Sequence, residues 1–342
     1  MKSQLQGYFG TRTRTRCLVI LLTSFLQVTI SNPIARRDYH NTGKDYTSLV
    51  IFGDSYSAPP AVGGRYCNGP VWDEFLSISL SSPTKPVSRL NYAYNGAHIN
   101  NRLTNNSVPD TSTQISDYLD ELEASQRTED PYAIAESRAL HIIWIGINPL
   151  VYMWRDTELI DSKPDTLNKA FIDVSKRIDR QIVELSRQVN ELVKNPHVNR
   201  LSPQFIVLTP PLLHTTQLVR IESRRRSGDD DRLTNSYIEL MKEMRSYFGQ
   251  TLFESIILKA QSINTKRRKL TVFDTVKFWN EVQNKPSQYG IISTEACLSD
   301  INQPPCKDPG HFEYWDQLHT TTAFHSEFSL ILHQFVQELK DD

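Results

Sequence analysis

The chain has 342 residues, 39% of them hydrophobic, and a formal net charge of −1. A chain of this size can form one large α/β domain or two small ones with a substantial core, and its near-neutral charge argues against nucleic-acid binding. Eighteen prolines and thirteen glycines are scattered along it, so no linker or low-complexity tract marks a second folded domain.

The N-terminal segment is typical of a signal peptide. Arg12, Arg14 and Arg16 precede an apolar run from Cys17 to Ile30, which has the length of a signal-peptide core and is short for a membrane span. We predict a signal peptide at 1–31, an extension at 32–47 and a single domain at 48–342; an uncleaved signal anchor is the alternative. Removal of four basic residues takes the charge from −1 to −5. We therefore expect a secreted, extracellular protein without a stable membrane anchor and without nucleic-acid partners.

Short apolar segments alternate with segments of helical period along the rest of the chain. Apolar residues recur every three or four positions from Phe171 to Leu192 and from Leu233 to Tyr247, which predicts two helices. This alternation indicates a mostly parallel sheet with helices on both faces, where ligands bind beyond the carboxyl ends of the strands. The predicted strands are Ser48 to Phe52, Asn91 to Tyr94, Leu140 to Ile145, Gln204 to Leu208 and Leu270 to Phe273.

Three residues with catalytic potential follow the first three predicted strands. Ser55 lies in a Gly-Asp-Ser turn after the first strand, Gly96 follows the second and Asn148 follows the third. Each segment alone is typical of an ordinary turn. Together they bring a serine hydroxyl to one edge with three donors for an oxyanion, namely the N–H groups of Ser55 and Gly96 and the Asn148 amide.

A carboxylate and an imidazole stand three residues apart near the C-terminus. Asp316 and His319 lie in a predicted loop before the last helix, and one helical turn would place them on the same side. A serine nucleophile needs a base, and that base benefits from a carboxylate that fixes its tautomer. The pair fits these roles, although a solvated pair at a helix start has the same spacing.

The order of these motifs resembles blocks I, II, III and V of the GDSL or SGNH hydrolases. The similarity extends to the flanking segments Gly64 to Trp72 and Tyr314 to Asp316 and covers most of residues 48–338. It implies a three-layer α/β/α sandwich with a five-stranded flavodoxin-like sheet. It also implies a serine esterase with a Ser55–His319–Asp316 triad, an oxyanion hole of Ser55, Gly96 and Asn148, and no cofactor.

Two positions depart from the family pattern. Pro149 stands where block III usually has an aspartate, which puts in doubt how the Asn148 loop is held. Cys67 stands where many relatives carry a small hydroxyl residue. Neither departure changes Ser55, Gly96, Asn148 or His319, the four residue types for which the SGNH hydrolases are named.

Within the family, the sequence is most similar to fungal acetylesterases of carbohydrate esterase family sixteen. This resemblance implies hydrolysis of short-chain, acetyl esters, with a small ester or an acetylated carbohydrate as substrate, and we expect a monomer. Two alternatives stay open: a lipase or phospholipase acting on longer acyl chains, and a non-catalytic carbohydrate-binding protein on the same fold. The similar segments are Phe52 to Tyr56, Ile143 to Asn148, and Phe273-Asp274 with Trp279 and Tyr289-Gly290.

Three cysteines remain after loss of Cys17. Cys297 and Cys306, nine positions apart, form the natural disulfide pair in an oxidising compartment, and Cys67 is expected to be a buried thiol. Asn105 begins an Asn-Asn-Ser sequon and is a candidate glycosylation site.

The remaining chemistry-bearing residues favour structural roles. No histidine pair has a recognisable metal-ligand spacing, so no metal site is predicted. The charged run from Arg224 to Asp231 is expected to be a solvated loop. Four aromatic residues near the motifs are predicted to pack in the core, with a sugar-binding groove as the alternative: Tyr152, Trp154, Trp279 and Tyr314.

Overall fold

The computed structural model describes residues 45–59, 66–128, 137–298 and 303–341. The predicted signal peptide at 1–31 and most of the extension at 32–47 lie outside these residues. Across the described part, none of the helices combines the length and the apolar character needed to cross a membrane.

A parallel five-stranded sheet forms the centre of the molecule, in the order β2-β1-β3-β4-β5. This is the flavodoxin-like order, so the predicted fold class is confirmed. β3 and β4 are buried along their whole length, because helices cover both faces of a parallel sheet. The strands are β1 (Ser48–Gly53), β2 (Ser88–Asn91), β3 (Ala139–Trp144), β4 (Gln204–Leu208) and β5 (Lys269–Phe273).

The predicted position of the second strand was wrong. The strand spans Ser88–Asn91, with Ser88 paired to Ser48, and not Asn91 to Tyr94. β2 is an edge strand whose first residues are partly or fully exposed, so it carries no apolar signal. The apolar segment after it still follows β1, because the Tyr92 and Tyr94 N–H groups donate to the Ile51 and Gly53 carbonyls.

Side chains of β3 show how the helices divide between the two faces of the sheet. His141 and Trp144 are three positions apart on the strand, so they point to opposite faces. The His141 ring contacts Tyr118, whereas the Trp144 ring contacts Trp72 and Phe328. The helices on which these partners lie therefore pack on opposite faces, which gives the three layers.

The described helices have the following bounds: α1 (Trp72–Leu80), α2 (Asn101–Thr104), α3 (Thr111–Gln126), α4 (Ile147–Arg155), α5 (Pro164–Lys194), α6 (Pro196–Asn199), α7 (Gln217–Ser227), α8 (Asp231–Ile263), α9 (Thr275–Asn284) and α10 (Thr322–Asp341). The long helices α5 and α8 contain the two predicted apolar stripes and pack against each other. Tyr118 lies on α3, which contacts α5, whereas Trp72 and Phe328 lie on α1 and α10.

The charged run from Arg224 to Asp231 is largely exposed to solvent, as predicted, but it is not a loop. The arginines form the last turn of α7, and a left-handed Gly228 ends that helix directly before the Asp230 cap of α8. The Arg226 guanidinium lies 4.7 Å from the ring centroid of Trp154 and 4.1 Å from that of Tyr237. Cation–π attraction thus draws one member of the run into the protein.

A second, two-stranded sheet precedes the last helix. It pairs β6 (Ser293–Ala296) with β7 (Phe312–Tyr314) in parallel. Cys297 and Cys306 form the predicted disulfide, and Cys297 follows β6 directly. The Cys297 N–H donates to the Tyr314 carbonyl, so the disulfide segment lies beside the chain that leads to His319.

Candidate active site

Ser55 lies in a turn that leaves the central strand β1, here called the serine turn (residues 53–58). The Asp54 carbonyl accepts the N–H groups of Ser57 and Ala58 at 3.0 and 2.9 Å, and Asp54 Oδ1 accepts the Tyr56 N–H at 3.1 Å. Asp54 and Tyr56 are buried, whereas Ser55 between them is partly exposed. The turn therefore presents the Ser55 hydroxyl at the carboxyl end of the sheet.

The start of the serine turn is fixed by a glutamine from α3. Gln114 Oε1 accepts the Gly53 N–H at 2.9 Å, and its Nε2 donates to the Gly53 carbonyl at 3.0 Å. A side chain on Gly53 is excluded, because a Cβ there would lie 2.5 Å from the Trp144 carbonyl oxygen. Gln114 is a structural part of the site that the sequence reasoning missed, since nothing near it in the sequence points to Gly53.

Gly96 and Asn148 follow the strands on either side of β1. Gly96 has a left-handed φ of 74° that favours glycine, and its carbonyl accepts a hydrogen bond from Asn106 Nδ2 at 2.8 Å. Asn148 Nδ2 donates to the Ala97 carbonyl at 3.0 Å. This bond connects the two segments and uses one of the two amide protons, so the second is available to a ligand.

Pro149 fits the structure without disturbing Asn148. Gly146 caps the N-terminus of α4, so Ile147, Asn148 and Pro149 are its first three residues. The N–H groups of a first helical turn have no partner within the helix, and a proline there loses no hydrogen bond. The bond from Asn148 to Ala97 holds the asparagine with no contribution from an aspartate at position 149.

Asp316 and His319 lie in a tight loop before α10, here called the histidine loop (residues 314–320). The predicted helical turn is absent. Asp316 Oδ1 instead accepts the N–H groups of Leu318 and His319 at 2.8 and 2.7 Å. The Trp315 N–H donates to the His319 carbonyl at 2.7 Å. Aspartate folds such turns with its own side chain, which here also brings its carboxylate against the imidazole.

The two segments meet at a hydrogen-bonded chain of three side chains. His319 Nε2 lies 2.8 Å from Ser55 Oγ, and His319 Nδ1 lies 2.8 Å from Asp316 Oδ2. The carboxylate favours the tautomer protonated at Nδ1, which leaves Nε2 free to accept the serine proton. The Tyr56 hydroxyl also donates to the Leu318 carbonyl at 2.6 Å and so connects the serine turn to the histidine loop.

Electrostatics favour an ionised Asp316. Burial opposes ionisation, but the hydrogen bond and charge of His319 and the backbone donors of the loop outweigh it, and the pKa of Asp316 is lowered. By contrast, burial raises the pKa of Asp54 to about 7, although the Tyr56 N–H and His319 oppose this shift. The two aspartates therefore differ, and the one at the imidazole carries the stable negative charge.

The aromatic side chains near the motifs fall into two groups. Trp154, Trp279 and Tyr314 are buried, as the core interpretation predicted, whereas Tyr152 is 37% exposed. Sequence reasoning missed Tyr66, which is 41% exposed and whose ring centroid lies 5.0 Å from that of His319. Tyr66 lies in a segment that resembles the family, but nothing local points to its contact with His319, because the two residues are far apart in the chain.

Several of the other histidines are buried as structural groups. Burial lowers the pKa of His325 to about 3, and its Nε2 lies 3.2 Å from Thr320 Oγ1. Burial likewise lowers the pKa of His141, to about 3, beside the Tyr118 hydroxyl. Over the described ranges, no group of three or more histidine, cysteine, aspartate or glutamate residues is arranged to hold a metal ion.

Comparison with known proteins places the chain in a family. Residues 49–331 match the family model of the GDSL-like lipases and acylhydrolases. The chain belongs to this family. It is accordingly an ester hydrolase, and the family chemistry uses a serine. No curated protein matches the chain. Among solved structures, the chain is similar to an extracellular lipase from Streptomyces rimosus, with 13% sequence identity and a TM-score of 0.42. The match covers 85% of this chain and 99% of the lipase.

Proposed function

We propose that the protein is a secreted serine esterase that hydrolyses short-chain acyl esters, in particular acetyl esters of carbohydrates. Ser55 is the nucleophile, His319 the general base and acid, and Asp316 the residue that orients His319. The main support for this proposal is the 2.8 Å contact between His319 Nε2 and Ser55 Oγ, with Asp316 at the other ring nitrogen.

Acylation follows from this geometry. As Ser55 Oγ attacks the acyl carbon, its proton passes to His319 Nε2 and the carbonyl oxygen becomes negative. The N–H groups of Ser55 and Gly96 and the second amide proton of Asn148 stabilise that oxyanion. His319 Nε2 then gives its proton to the alcohol oxygen as the ester C–O bond breaks, which leaves acyl-Ser55 and a free alcohol.

Deacylation uses the same groups with water in place of the alcohol. His319 Nε2 takes a proton from water, whose oxygen attacks the acyl carbon, and then returns that proton to Ser55 Oγ. The products are a carboxylic acid and the free enzyme. Asp316 stays ionised throughout, in keeping with its lowered pKa, and stabilises the imidazolium in both steps.

The acyl group and the cellular location have separate support. The acetyl preference is supported by the resemblance to carbohydrate esterase family sixteen. Export is supported by the basic and apolar N-terminal run and by the Cys297–Cys306 disulfide, which suits an oxidising compartment. Asn105 is exposed, so its sequon is accessible to glycosylation. Fractionation of cells and culture medium followed by N-terminal sequencing tests export: protein that stays with the cells and begins at residue 1 contradicts it.

The catalytic assignment is tested with p-nitrophenyl esters of increasing acyl length. We expect wild-type protein to hydrolyse the acetate fastest and Ser55→Ala to fall to the background rate, because the variant has no nucleophile. Equal rates for wild type and Ser55→Ala contradict the assignment of Ser55. A preference for acyl chains of about eight carbons or more contradicts the acetyl proposal and favours a lipase or phospholipase.

A further inference from the structure

Tyr66 is a large side chain close to the reacting atoms, and the proposed mechanism assigns it no role. Its ring lies against the His319 imidazole, with centroids 5.0 Å apart and ring planes 43° apart. Its side chain remains 41% exposed. A second tyrosine against this imidazole, Tyr56, is buried and donates its hydroxyl to the Leu318 carbonyl. Tyr66 thus presents ring surface to solvent, whereas Tyr56 is part of the core.

The direction of the reaction identifies which part of an ester would meet Tyr66. The carbonyl oxygen must point toward Gly96 and Asn148, which follow the strands beside β1. The alcohol oxygen must lie against His319 Nε2, because that atom protonates it. A ring that contacts the imidazole is therefore next to the alcohol part of the substrate.

We propose that Tyr66 is the binding surface for the alcohol part of the ester and selects alcohols that contain a ring. A tyrosine ring offers a flat apolar face, on which a cyclic alcohol buries more surface than a small branched one. Only two side-chain torsions are fixed when the ring binds, so the entropic cost of this contact is low. This inference rests on the proposed function of Ser55 and His319. It identifies the class of leaving group, of which a pyranose and a simple alicyclic alcohol are two sources.

The test compares two acetates whose alcohols have similar acidity but different shape. Cyclohexyl acetate and isopropyl acetate both release a secondary alcohol, and an acetylated methyl glucopyranoside provides the sugar. We expect Tyr66→Ala to lower kcat/KM for cyclohexyl acetate by roughly 5- to 30-fold, and for isopropyl acetate by less than about 3-fold. Tyr66→Phe should retain the wild-type ratio, because it retains the ring.

The ratio between the two acetates separates alcohol binding from an effect on the base. If Tyr66 acted only by shielding His319, Tyr66→Ala would slow both substrates equally, and the unchanged ratio would overturn the proposal. A loss for both cyclic acetates would show that any saturated six-membered ring suffices. A loss for the sugar acetate alone would leave the ratio of cyclohexyl to isopropyl acetate unchanged and would therefore also overturn the proposal.

Tyr152 provides a matched control. It is 37% exposed and its ring lies 6.0 Å from a histidine ring, that of His98. It stands on α4 four residues after Asn148, on the oxyanion side. We expect Tyr152→Ala to keep the wild-type ratio. A change as large as that of Tyr66→Ala would contradict the specific assignment to Tyr66.

Failure of this inference can be told apart from failure of the proposed function. If wild type prefers long acyl chains, the acetyl proposal fails, and octanoyl esters of the same two alcohols still report the ratio. If Ser55→Ala is as active as wild type, the catalytic proposal fails. If wild type shows Ser55-dependent turnover but Tyr66→Ala leaves the ratio unchanged, only the role of Tyr66 is wrong.

Discussion

The serine turn and the histidine loop meet at two hydrogen bonds, one between His319 and Ser55 and one between Tyr56 and Leu318, but they are folded by different means. The serine turn is part of the main fold: Gly53 ends β1 and is bonded to Gln114, which lies 61 positions away. The histidine loop is folded by one of its own side chains, because Asp316 accepts N–H groups two and three residues later, and backbone hydrogen bonds such as that from the Leu218 N–H to the Gln317 carbonyl attach it to the rest of the fold. The start of the serine turn therefore depends on a distant side chain, whereas the local fold around the base depends on Asp316.

After loss of the nucleophile itself, removal of Asp316 is expected to produce the largest effect. Asp316→Ala loses both the charge at His319 Nδ1 and the acceptor for the loop N–H groups, so we expect kcat to fall by roughly 10³- to 10⁴-fold. Asp316→Asn retains an oxygen for those N–H groups but lacks the charge. Steady-state kinetics and urea unfolding of both variants separate the two roles.

The two Asp316 variants should differ in stability more than in activity. Both variants should lose most of their activity. The free energy of unfolding of Asp316→Ala should also be lower than that of Asp316→Asn, by about 1–2 kcal/mol. Equal stability of the two variants would show that the side chain of Asp316 does not hold the histidine loop. The contrast with the serine turn would then be wrong, although the catalytic role would remain.

Substitution of Gln114 tests the other half of the comparison. Gln114→Leu leaves the buried N–H and carbonyl of Gly53 without their side-chain partner, so we expect unfolding to become easier by about 2–4 kcal/mol. We also expect kcat to fall by about tenfold, because Ser55 follows Gly53 by two residues. Urea unfolding and turnover of p-nitrophenyl acetate measure the two effects.

Gln126, at the opposite end of the same helix, is the control for Gln114. It is also buried, and its Nε2 donates a hydrogen bond to the carbonyl of His197, which is far along the chain from β1. Gln126→Leu should lower stability without lowering kcat. If both glutamine variants reduce kcat equally, the effect of Gln114 is a general consequence of a weakened α3 and not of its contact with Gly53.

The same contrast explains what could be predicted from the sequence. Buried strands such as β3 and β4 can be recognised by their largely apolar runs, and their predicted bounds are within one residue of those observed. The edge strand β2 and the short strands β6 and β7 carry too few apolar residues to be recognised. Ser55 and His319 could be paired only through the order of the motifs, because their contact spans 264 positions.

Residues that hold the site in place were harder to predict than residues that stand in motifs. Gln114 is one polar residue in a helix, and its partner is set by how α3 packs against β1. Tyr66 contacts His319 through a similarly long-range approach of two loops. Asp316 was paired with His319 by its spacing, but the expected helical turn was wrong because its side chain caps the loop locally.

The smallest expected effect concerns a buried carboxyl group beside the histidine loop. Burial raises the pKa of Glu313 to about 7 from an ordinary value of 4.5, although a hydrogen bond from Gln283 Nε2 at 3.0 Å opposes the shift. Between these two values the folded protein binds the proton more tightly than the unfolded chain, so the unfolding free energy falls as pH rises. We expect this loss to amount to about 1–3 kcal/mol by pH 7.5.

Glu313→Gln removes the ionisation and retains the acceptor for Gln283. Any fixed cost of the added amide is the same at every pH, whereas the advantage of glutamine over glutamate should grow from pH 4.5 to pH 7.5. Urea unfolding at four pH values across that window measures the difference. Asp54→Asn removes the corresponding carboxyl of the serine turn, whose pKa is also about 7, and should produce the same trend. Parallel stability curves for wild type and Glu313→Gln would mean that Glu313 is ionised in the folded protein, so that burial costs the histidine loop no pH-dependent stability.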